Sequence, residues 1–148
     1  TSIIPNLLVD GIVEAIQDSD ALKIYVCNVM TQEGETEGYT VSDHISALFH
    51  HSCRNLFDIC LCNSSPIPKG VAAKYAQEGA SPLYADAGPC AALGVEVISR
   101  PIATVDNGFV RHDPGHLARE LILLHAERSV RIAGEHFNPH SYRAERER

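Results

Sequence analysis

The segment Lys23–Met30 (KIYVCNVM) decides the fold class, because it is a nearly continuous run of apolar and β-forming residues. Such a run is typical of a strand that is covered on both faces, as in a parallel sheet. Phe57–Cys62 (FDICLC) has the same character, and Gly94–Ile98 and Pro82–Ala85 are two further strand candidates. We expect the first of these segments to form a central strand of the sheet.

Helical patterns alternate with these strands, with apolar residues at helical spacing. The predicted helices are Pro5–Gln17, a helix capped by Ser42, Pro68–Gln77 closed by Gly79, and a helix from Asp113-Pro114 to about Arg128. This alternation indicates a Rossmann-like α/β fold, in which a mainly parallel sheet lies between two helical layers. We therefore predict one three-layer domain over residues 1–128 and a polar Arg/Glu-rich tail over residues 129–148.

The composition limits the class of protein. The chain has 148 residues, of which 45% are hydrophobic and 21% charged, as expected of a compact globular domain. Its formal net charge of −7 argues against a nucleic-acid partner, which requires a basic surface. No apolar run approaches the length of a membrane span, so we expect no membrane association. Five cysteines, an odd number set mostly in apolar runs, favour a reducing cytoplasm.

Hydrogen-bonding residues follow the predicted strands at their carboxyl ends, where open parallel α/β sheets bind ligands. These residues are Asn28, Thr31, Asn63, Ser64, Ser65, Asp86, Ser99 and Arg100. One interpretation is a ligand cradle. The other is that asparagine, serine and aspartate are simply good turn formers. The residue types alone leave both interpretations open.

Arg111 is the strongest single candidate for a ligand contact. It follows the turn at Asp106-Asn107-Gly108 and arrives just before the predicted helix that starts at Asp113. An arginine beside the free N–H groups of a helix start is well placed to hold a phosphate. An ion pair between Arg111 and Asp113, or another surface acid, is the equally weighted alternative.

The sequence does not favour a metal site or a catalytic nucleophile. Cys60 and Cys62 share one face of a strand, and His112 and His116 are four residues apart, but neither pair is part of a zinc signature. No Gly-x-Ser-x-Gly, Walker or Gly-x-Gly-x-x-Gly pattern is present. Tyr75 is either a core residue or a hydroxyl at the rim of the ligand crevice. We predict no catalytic residue and no metal, and expect ligand binding rather than catalysis.

The loop after the first strand, QEGETEG, has an unusual composition. Gly34 and Gly38 are predicted to give it the freedom to fold over a ligand. Glu33, Glu35 and Glu37 would repel a diphosphate at close range, so we expect these side chains to face solvent or a partner.

Three segments together resemble the CofD-like family, in its gluconeogenesis-factor branch. They are TSIIPNLLVDGIVEAI, KIYVCNVMTQEGETEGYTVSDHISAL and VDNGFVRHDPGHLARELI. The resemblance implies a Rossmann-like three-layer α/β fold whose glycine-rich phosphate loop lies upstream of the matching segments. The chain is therefore expected to be the C-terminal part of a larger domain, with one face of its sheet poorly covered.

The resemblance also implies a function. It indicates a cytoplasmic regulatory protein that binds UDP-N-acetylglucosamine and supports gluconeogenic growth, cell-wall homeostasis and cell shape. The ligand contacts carried over from the family are Thr1, Ser2, Asn6, Asn28, Thr31, Tyr75 and Arg111. A protein partner that binds the tail, and a homo-oligomer, are both compatible with this function.

The sister branch of the family supplies the alternative, a 2-phospho-L-lactate transferase that moves a phospholactyl group to a deazaflavin in coenzyme F420 biosynthesis. That reaction would need a metal-assisted diphosphate site, with Mg²⁺ as the expected ion. Asp86, Asp106 and Asp113 are the carboxylate candidates for that ion.

Overall fold

The computed structural model describes the backbone of residues 2–136 and the side chains of residues 2–130. Eleven elements follow one another in this range. They are α1 (Ile4–Leu7), α2 (Ile12–Asp18), β1 (Ile24–Val26), α3 (Val41–His50), β2 (Ile59–Asn63), α4 (Lys69–Gln77), α5 (Ala87–Ala92), β3 (Glu96–Arg100), β4 (Ala103–Asp106), β5 (Phe109–His112) and α6 (Pro114–His136). The order confirms the predicted α/β class.

Three strands form a parallel sheet in the order β1-β2-β3. Ile24 pairs with Ile59, and Cys60 pairs with Val97. The expectation that the first strand is central is wrong for this sheet, since β2 occupies the middle and β1 lies at an edge. The strand β1 is also shorter than predicted, because beyond Cys27 the chain leaves the sheet and turns toward the segment 81–83.

Helices cover both faces of the parallel sheet. On one face α1, α2, α3 and α5 pack against Tyr25, Cys27, Cys60, Cys62 and Val97. On the other face α6 packs through Leu124, with Leu117 and Leu121 beside it, against Leu61 and Ile98. The predicted three layers are therefore present, and the expectation of a poorly covered face is wrong for the described residues.

A two-stranded hairpin stands apart from the parallel sheet. Strands β4 and β5 are antiparallel, with Thr104 opposite Arg111. Asn107 and Gly108 at the turn have φ angles of 49° and 81°, the left-handed values that an Asn-Gly hairpin turn requires. The sequence predicted the turn but not the two strands, and the hairpin is what carries Arg111.

Several predicted boundaries change. The single helix expected over Pro5–Gln17 is two helices, because Gly11 has a φ of 84° and interrupts it. Pro82–Ala85 is not a strand but an isolated bridge from Pro82 to Met30. The helix α5 was not predicted.

The last helix begins at Pro114, as predicted, and continues to His136 rather than ending near Arg128. The division into a folded domain and a tail at Ser129 stays a prediction, since residues 137–148 lie outside the described part of the chain. Of the helices in the described range, none combines the length and the hydrophobicity that crossing a bilayer requires.

Candidate functional site

A cleft of about 310 Å³ opens at the carboxyl end of β1, between the hairpin and α4. Five of the seven predicted ligand contacts line it, namely Ser2, Asn28, Thr31, Tyr75 and Arg111. The remaining walls are Val29, Met30, Gln32, Val110 and His112. The structure thus gathers most of the predicted contacts in one place, although their contact with a ligand stays a prediction.

Two predicted contacts do not line the cleft. Thr1 lies outside the described residues. Asn6 is exposed on α1, and its side-chain amide donates a hydrogen bond to the backbone oxygen of Ser2 at 3.1 Å. Asn6 therefore holds the backbone of Ser2, which does line the cleft.

Thr31 belongs to the wall rather than to the open space. It is 2% exposed, and its hydroxyl oxygen accepts a hydrogen bond from the backbone N–H of Ser81 at 2.8 Å. Its own N–H donates to the Ser81 carbonyl at 2.8 Å. Thr31 thus fixes the chain after β1 to the segment that follows α4.

Tyr75 joins α4 to the hairpin. Its hydroxyl oxygen accepts a hydrogen bond from the backbone N–H of Val110 at 2.9 Å, and its ring packs against Val29, Met30 and Val110. No hydrogen bond among the described residues uses the hydroxyl hydrogen, which a ligand could therefore accept. The two interpretations of Tyr75, core residue and crevice rim, therefore both hold in part.

Arg111 is exposed, with its guanidinium carbon 5.6 Å from the centroid of the Phe109 ring. Among the described residues it has no carboxylate partner. Asp113 is engaged elsewhere, because it accepts from His116 N at 3.0 Å and its other oxygen lies 3.0 Å from His116 Nδ1. These hydrogen bonds hold the pKa of the Asp113 carboxyl below its ordinary value. The predicted alternative of an Arg111–Asp113 ion pair is wrong.

His112 is a member of the cleft that sequence reasoning considered only as a metal ligand. Its Nε2 lies 3.1 Å from the backbone oxygen of Cys27, so Nε2 carries the hydrogen and donates it. This bond ties β5 to the end of β1 across 85 residues of sequence. Spacing along the chain carries no signal for such a contact.

A second space, which we call the His44 chamber, adjoins the cleft and shares Ser2 and Asn28 with it. Its volume is about 260 Å³. Its other walls are Ile3, Ile4, Tyr25, Glu35, Thr36, Tyr39, His44, Ala47, Leu48 and His51. Nothing in the sequence connects α3 with the site, because His44, Ala47 and Leu48 have the spacing of an ordinary buried helix face.

The acidic loop is more ordered than its composition suggests. Thr36 is 3% exposed and accepts a hydrogen bond from Gln32 N, while its own N–H donates to Gln32 O, both at 2.9 Å. Glu33, Glu35 and Glu37 are exposed, as expected. Glu35 nevertheless also lines the His44 chamber, so it faces the site as well as solvent.

Two other polar residues that the sequence places after predicted strands, Asn63 and Asp86, form hydrogen bonds within the protein. Asn63 Oδ1 accepts from Ser65 N at 2.9 Å and from Ile102 N at 3.3 Å. Asp86 accepts from Ser42 N at 3.0 Å and from the Ser42 hydroxyl. Burial alone would raise the pKa of the Asp86 carboxyl, but the hydrogen bonds from Ser42 and Cys90 outweigh it, so this pKa lies below its ordinary value. The turn-former interpretation holds for Asn63, which bonds to Ser65 two residues on, whereas Asp86 makes a long-range contact that joins α3 to α5.

The three carboxylates proposed for Mg²⁺ do not form a metal-binding group within the described residues. Asp86 is held by Ser42, Asp113 by His116, and Asp106 accepts from the Asn107 amide at 3.1 Å. Their separate engagements offer no common point of coordination.

Three sulfur atoms do meet, in a group that we call the sulfur cluster. Cys27 joins Cys60 and Cys62, and the three Sγ atoms lie within 4.8 Å of one another. All three side chains are at most 2% exposed, and the Sγ atoms of Cys60 and Cys62 are 3.8 Å apart. Such thiols can ligate a soft metal ion, but in this apolar layer they pack as small hydrophobic side chains.

Comparison with known proteins finds similar sequences that cover most of this chain. The family model described as 2-phospho-L-lactate transferase CofD matches residues 1–103. The gluconeogenesis factor of Halalkalibacterium halodurans is 44% identical over 122 residues, which are 82% of this chain and 38% of that protein. The gluconeogenesis factor of Bacillus subtilis shows the same identity and coverage.

A crystal structure gives the same result at the level of the fold. A member of the UPF0052 family from Bacillus halodurans superposes with a TM-score of 0.76 and 44% sequence identity, over 80% of this chain and 38% of that one. The chain therefore spans about 38% of the length of these relatives.

Proposed function

Because this chain belongs to the CofD family, we propose that it forms part of a nucleotide-sugar site in a protein of the gluconeogenesis-factor type, with UDP-N-acetylglucosamine as the ligand. Its relatives named gluconeogenesis factor support the branch. The ligand is the one that the resemblance to this branch implies, and the cleft supports the contacts proposed for it.

The charge of the cleft carries the proposal. The protein has a net charge of −7, yet none of the described residues that line the cleft is acidic. Arg111 supplies a cation there that has no carboxylate partner among the described residues. Ser2, Asn28 and Tyr75 add groups that hydrogen-bond to phosphate or sugar oxygens. A diphosphate fits this combination, because an arginine free of acid neighbours binds phosphate in a charge-assisted, bidentate manner.

The His44 chamber complements the cleft. Ile3, Ile4 and Leu48 on its walls are apolar, and apolar walls disfavour a charged phosphate. We therefore place the diphosphate beside Arg111 and an uncharged part of the ligand in the chamber. Each space lies at or just below the lower end of the 300–1,000 Å³ usual for small-molecule sites, so a nucleotide sugar would occupy both.

Calorimetry on the full-length protein tests the diphosphate contact. Arg111→Ala should weaken UDP-N-acetylglucosamine binding by roughly 10- to 100-fold, since a hydrogen bond to a charged group contributes about 1.5–3 kcal/mol. Arg111→Lys should bind with intermediate affinity, because it keeps the charge and loses the fork geometry. Arg54→Ala, an exposed arginine at the opposite end of the sheet, is the matched control and should bind normally.

Wild-type affinity in Arg111→Ala would remove this residue from the site. Absence of binding by the wild-type protein would overturn the proposed ligand itself.

The cellular role is proposed on the same basis. We expect the protein to act in the cytoplasm, to support gluconeogenic growth and to maintain cell shape without turnover of its ligand. A strain that lacks the protein should recover growth on a gluconeogenic carbon source when it carries the wild-type gene, but not when it carries Arg111→Ala. Equal rescue by both genes would separate the growth role from ligand binding. A partner that binds residues 129–148 stays a prediction.

The family description favours one alternative, phospholactyl transfer to a deazaflavin. Within the described residues the aspartates that would hold Mg²⁺ are engaged separately. Incubation of the full-length protein with a nucleotide-activated phospholactate, a deazaflavin acceptor and Mg²⁺ should yield no phospholactyl product. Formation of that product would mean that the protein is a transferase rather than a regulatory protein.

A further inference from the structure

His44 has an unused hydrogen-bonding atom inside the protein. The residue is 4% exposed, lies on α3 and lines the His44 chamber. Its Nε2 is buried and has no hydrogen-bond partner, and it is the one buried side-chain nitrogen or oxygen in the described residues of which this is true. A buried polar atom without a partner costs about 1–3 kcal/mol, so its persistence calls for a physical reason.

The hydrogen bond on the other side of the ring defines what Nε2 can do. His44 Nδ1 lies 2.8 Å from the backbone oxygen of Thr40. A carbonyl oxygen only accepts, so Nδ1 carries the hydrogen, and Nε2 of the neutral ring is an acceptor. The Thr40 backbone is itself held by a capping box with Asp43, and the Tyr39 ring meets the imidazole edge-on with centroids 5.4 Å apart. The acceptor is therefore fixed in position.

The walls of the chamber that His44 lines select the kind of group that would occupy it. Ile3, Ile4 and Leu48 make much of the chamber apolar, and Tyr25 and Tyr39 add aromatic rings. The chamber adjoins the cleft, with which it shares Ser2 and Asn28. A flat, uncharged group that carries one N–H suits such walls.

We propose that His44 is a specificity-determining residue, whose Nε2 accepts a hydrogen bond from an amide or imide N–H of the ligand's uncharged end. This proposal rests on the proposed nucleotide-sugar function. Two groups of UDP-N-acetylglucosamine offer that chemistry, the imide N–H of uracil and the acetamido N–H of the sugar. Both are planar, and the experiment distinguishes them.

The test measures binding of three ligands to the full-length protein by calorimetry. UDP-N-acetylglucosamine has both N–H groups, UDP-glucose lacks the acetamido group, and the N3-methyluracil analogue of UDP-N-acetylglucosamine lacks the imide N–H. The variant His44→Leu removes the acceptor and keeps an apolar side chain of moderate size. His44→Gln restores an acceptor, and His50→Leu, an exposed histidine on the same helix, is the matched control.

We expect His44→Leu to bind UDP-N-acetylglucosamine about tenfold more weakly, the effect of one lost buried hydrogen bond, and His44→Gln to recover part of that loss. His50→Leu should bind as the wild type does. The wild type should discriminate against one of the two modified ligands, and His44→Leu should lose that discrimination. The modified ligand concerned identifies the N–H group.

His44→Leu should remain folded, because Thr40 O still accepts the backbone N–H of residue 44, and its thermal unfolding midpoint checks this. Unchanged affinity and discrimination in His44→Leu, with wild-type binding intact, would overturn the role of His44 alone. Failure of the wild-type protein to bind any of the three ligands would overturn the nucleotide-sugar function, and the role of His44 with it.

Discussion

Strands β1 and β2 contribute to two regions with opposite chemistry. Under the helices of one face they bring together the sulfur cluster of Cys27, Cys60 and Cys62, whose side chains are sealed from solvent. Beyond the carboxyl end of β1 lie the cleft and the His44 chamber, where His44 and Tyr75 keep hydrogen-bonding capacity that no described residue uses. The difference teaches that the burial of a titratable group says little about function. Hydrogen-bonding capacity that the fold does not use is the better guide to a functional site.

The reactivity of the thiols tests whether the sulfur cluster is sealed. Cys53 is half-buried, whereas the three cluster thiols are at most 2% exposed. In native protein an aromatic disulfide reagent should modify Cys53 first. The cluster thiols should react at least roughly a thousandfold more slowly than Cys53, because the protein must open locally before the reagent reaches them.

Mass spectrometry of partly modified protein measures this difference, and Cys53→Ser is its control. Fast modification of Cys60 or Cys62 in native protein would contradict the distinction between a sealed core and an open site.

Core packing should affect stability far more than the cleft does. Leu61 is fully buried in the central strand, so Leu61→Ala should lower the free energy of unfolding by about 2–5 kcal/mol. Leu123→Ala on the exposed side of α6, where the side chain is 46% exposed, should change it by less than about 0.5 kcal/mol. Urea unfolding provides both values. Arg111→Ala should change the free energy of unfolding as little as Leu123→Ala does, although we expect it to weaken ligand binding.

The sequence predicted the buried strands better than it predicted the role of their polar ends. A strand that is buried on both faces has a nearly continuous run of apolar residues, which KIYVCNVM and FDICLC both show. Asn28 and Asn63 both lie at the carboxyl ends of strands. Asn28 lines the cleft, whereas the side chain of Asn63 accepts hydrogen bonds from Ser65 and Ile102. Whether a polar side chain forms hydrogen bonds within the fold depends on segments that are distant in sequence. A local sequence pattern therefore does not predict it.

Other misses have local causes. The helix α5 has the sequence AGPCAA, and its glycine and proline disfavour a helix that tertiary packing nevertheless stabilises through Cys90. His44 looked like any residue on the buried face of α3, since an unpaired nitrogen is visible only when all its neighbours are known.

Asp86 directly precedes α5, and its carboxylate is engaged within the fold, so it should contribute to stability. Its hydrogen bonds from Ser42 join the start of α3 to the start of α5. At pH 7, Asp86→Ala should lower the free energy of unfolding by about 1 kcal/mol, a value reduced from that of a fully buried charged hydrogen bond because the carboxylate is partly exposed.

The effect of Asp86→Ala should depend on pH. Since the folded-state pKa of Asp86 lies below its ordinary value of about 3.9, its contribution is present above that value and is lost as the pH falls through the lower folded pKa. Urea unfolding at pH 7 and near pH 3 should therefore show a smaller difference between Asp86→Ala and wild type at the lower pH. The exposed Asp20→Ala serves as control. An equal difference at both pH values would mean that the charge of Asp86 does not matter.

Tyr75 combines a structural contact with unused hydrogen-bonding capacity, because only the oxygen of its hydroxyl group forms a hydrogen bond among the described residues. The oxygen accepts from Val110 N, and the hydrogen has no partner among the hydrogen bonds of the described residues. Tyr75→Phe removes both functions and keeps the ring that packs against Met30 and Val110. We expect a loss of at most about 1 kcal/mol in unfolding free energy, the value of one neutral hydrogen bond, and a threefold to tenfold loss of UDP-N-acetylglucosamine affinity. Tyr84→Phe, whose side chain is 73% exposed, should change neither quantity. If Tyr75→Phe weakens folding but binds the ligand normally, Tyr75 belongs with the core, and unused hydrogen-bonding capacity is a poorer guide to function than the rest of the cleft suggests.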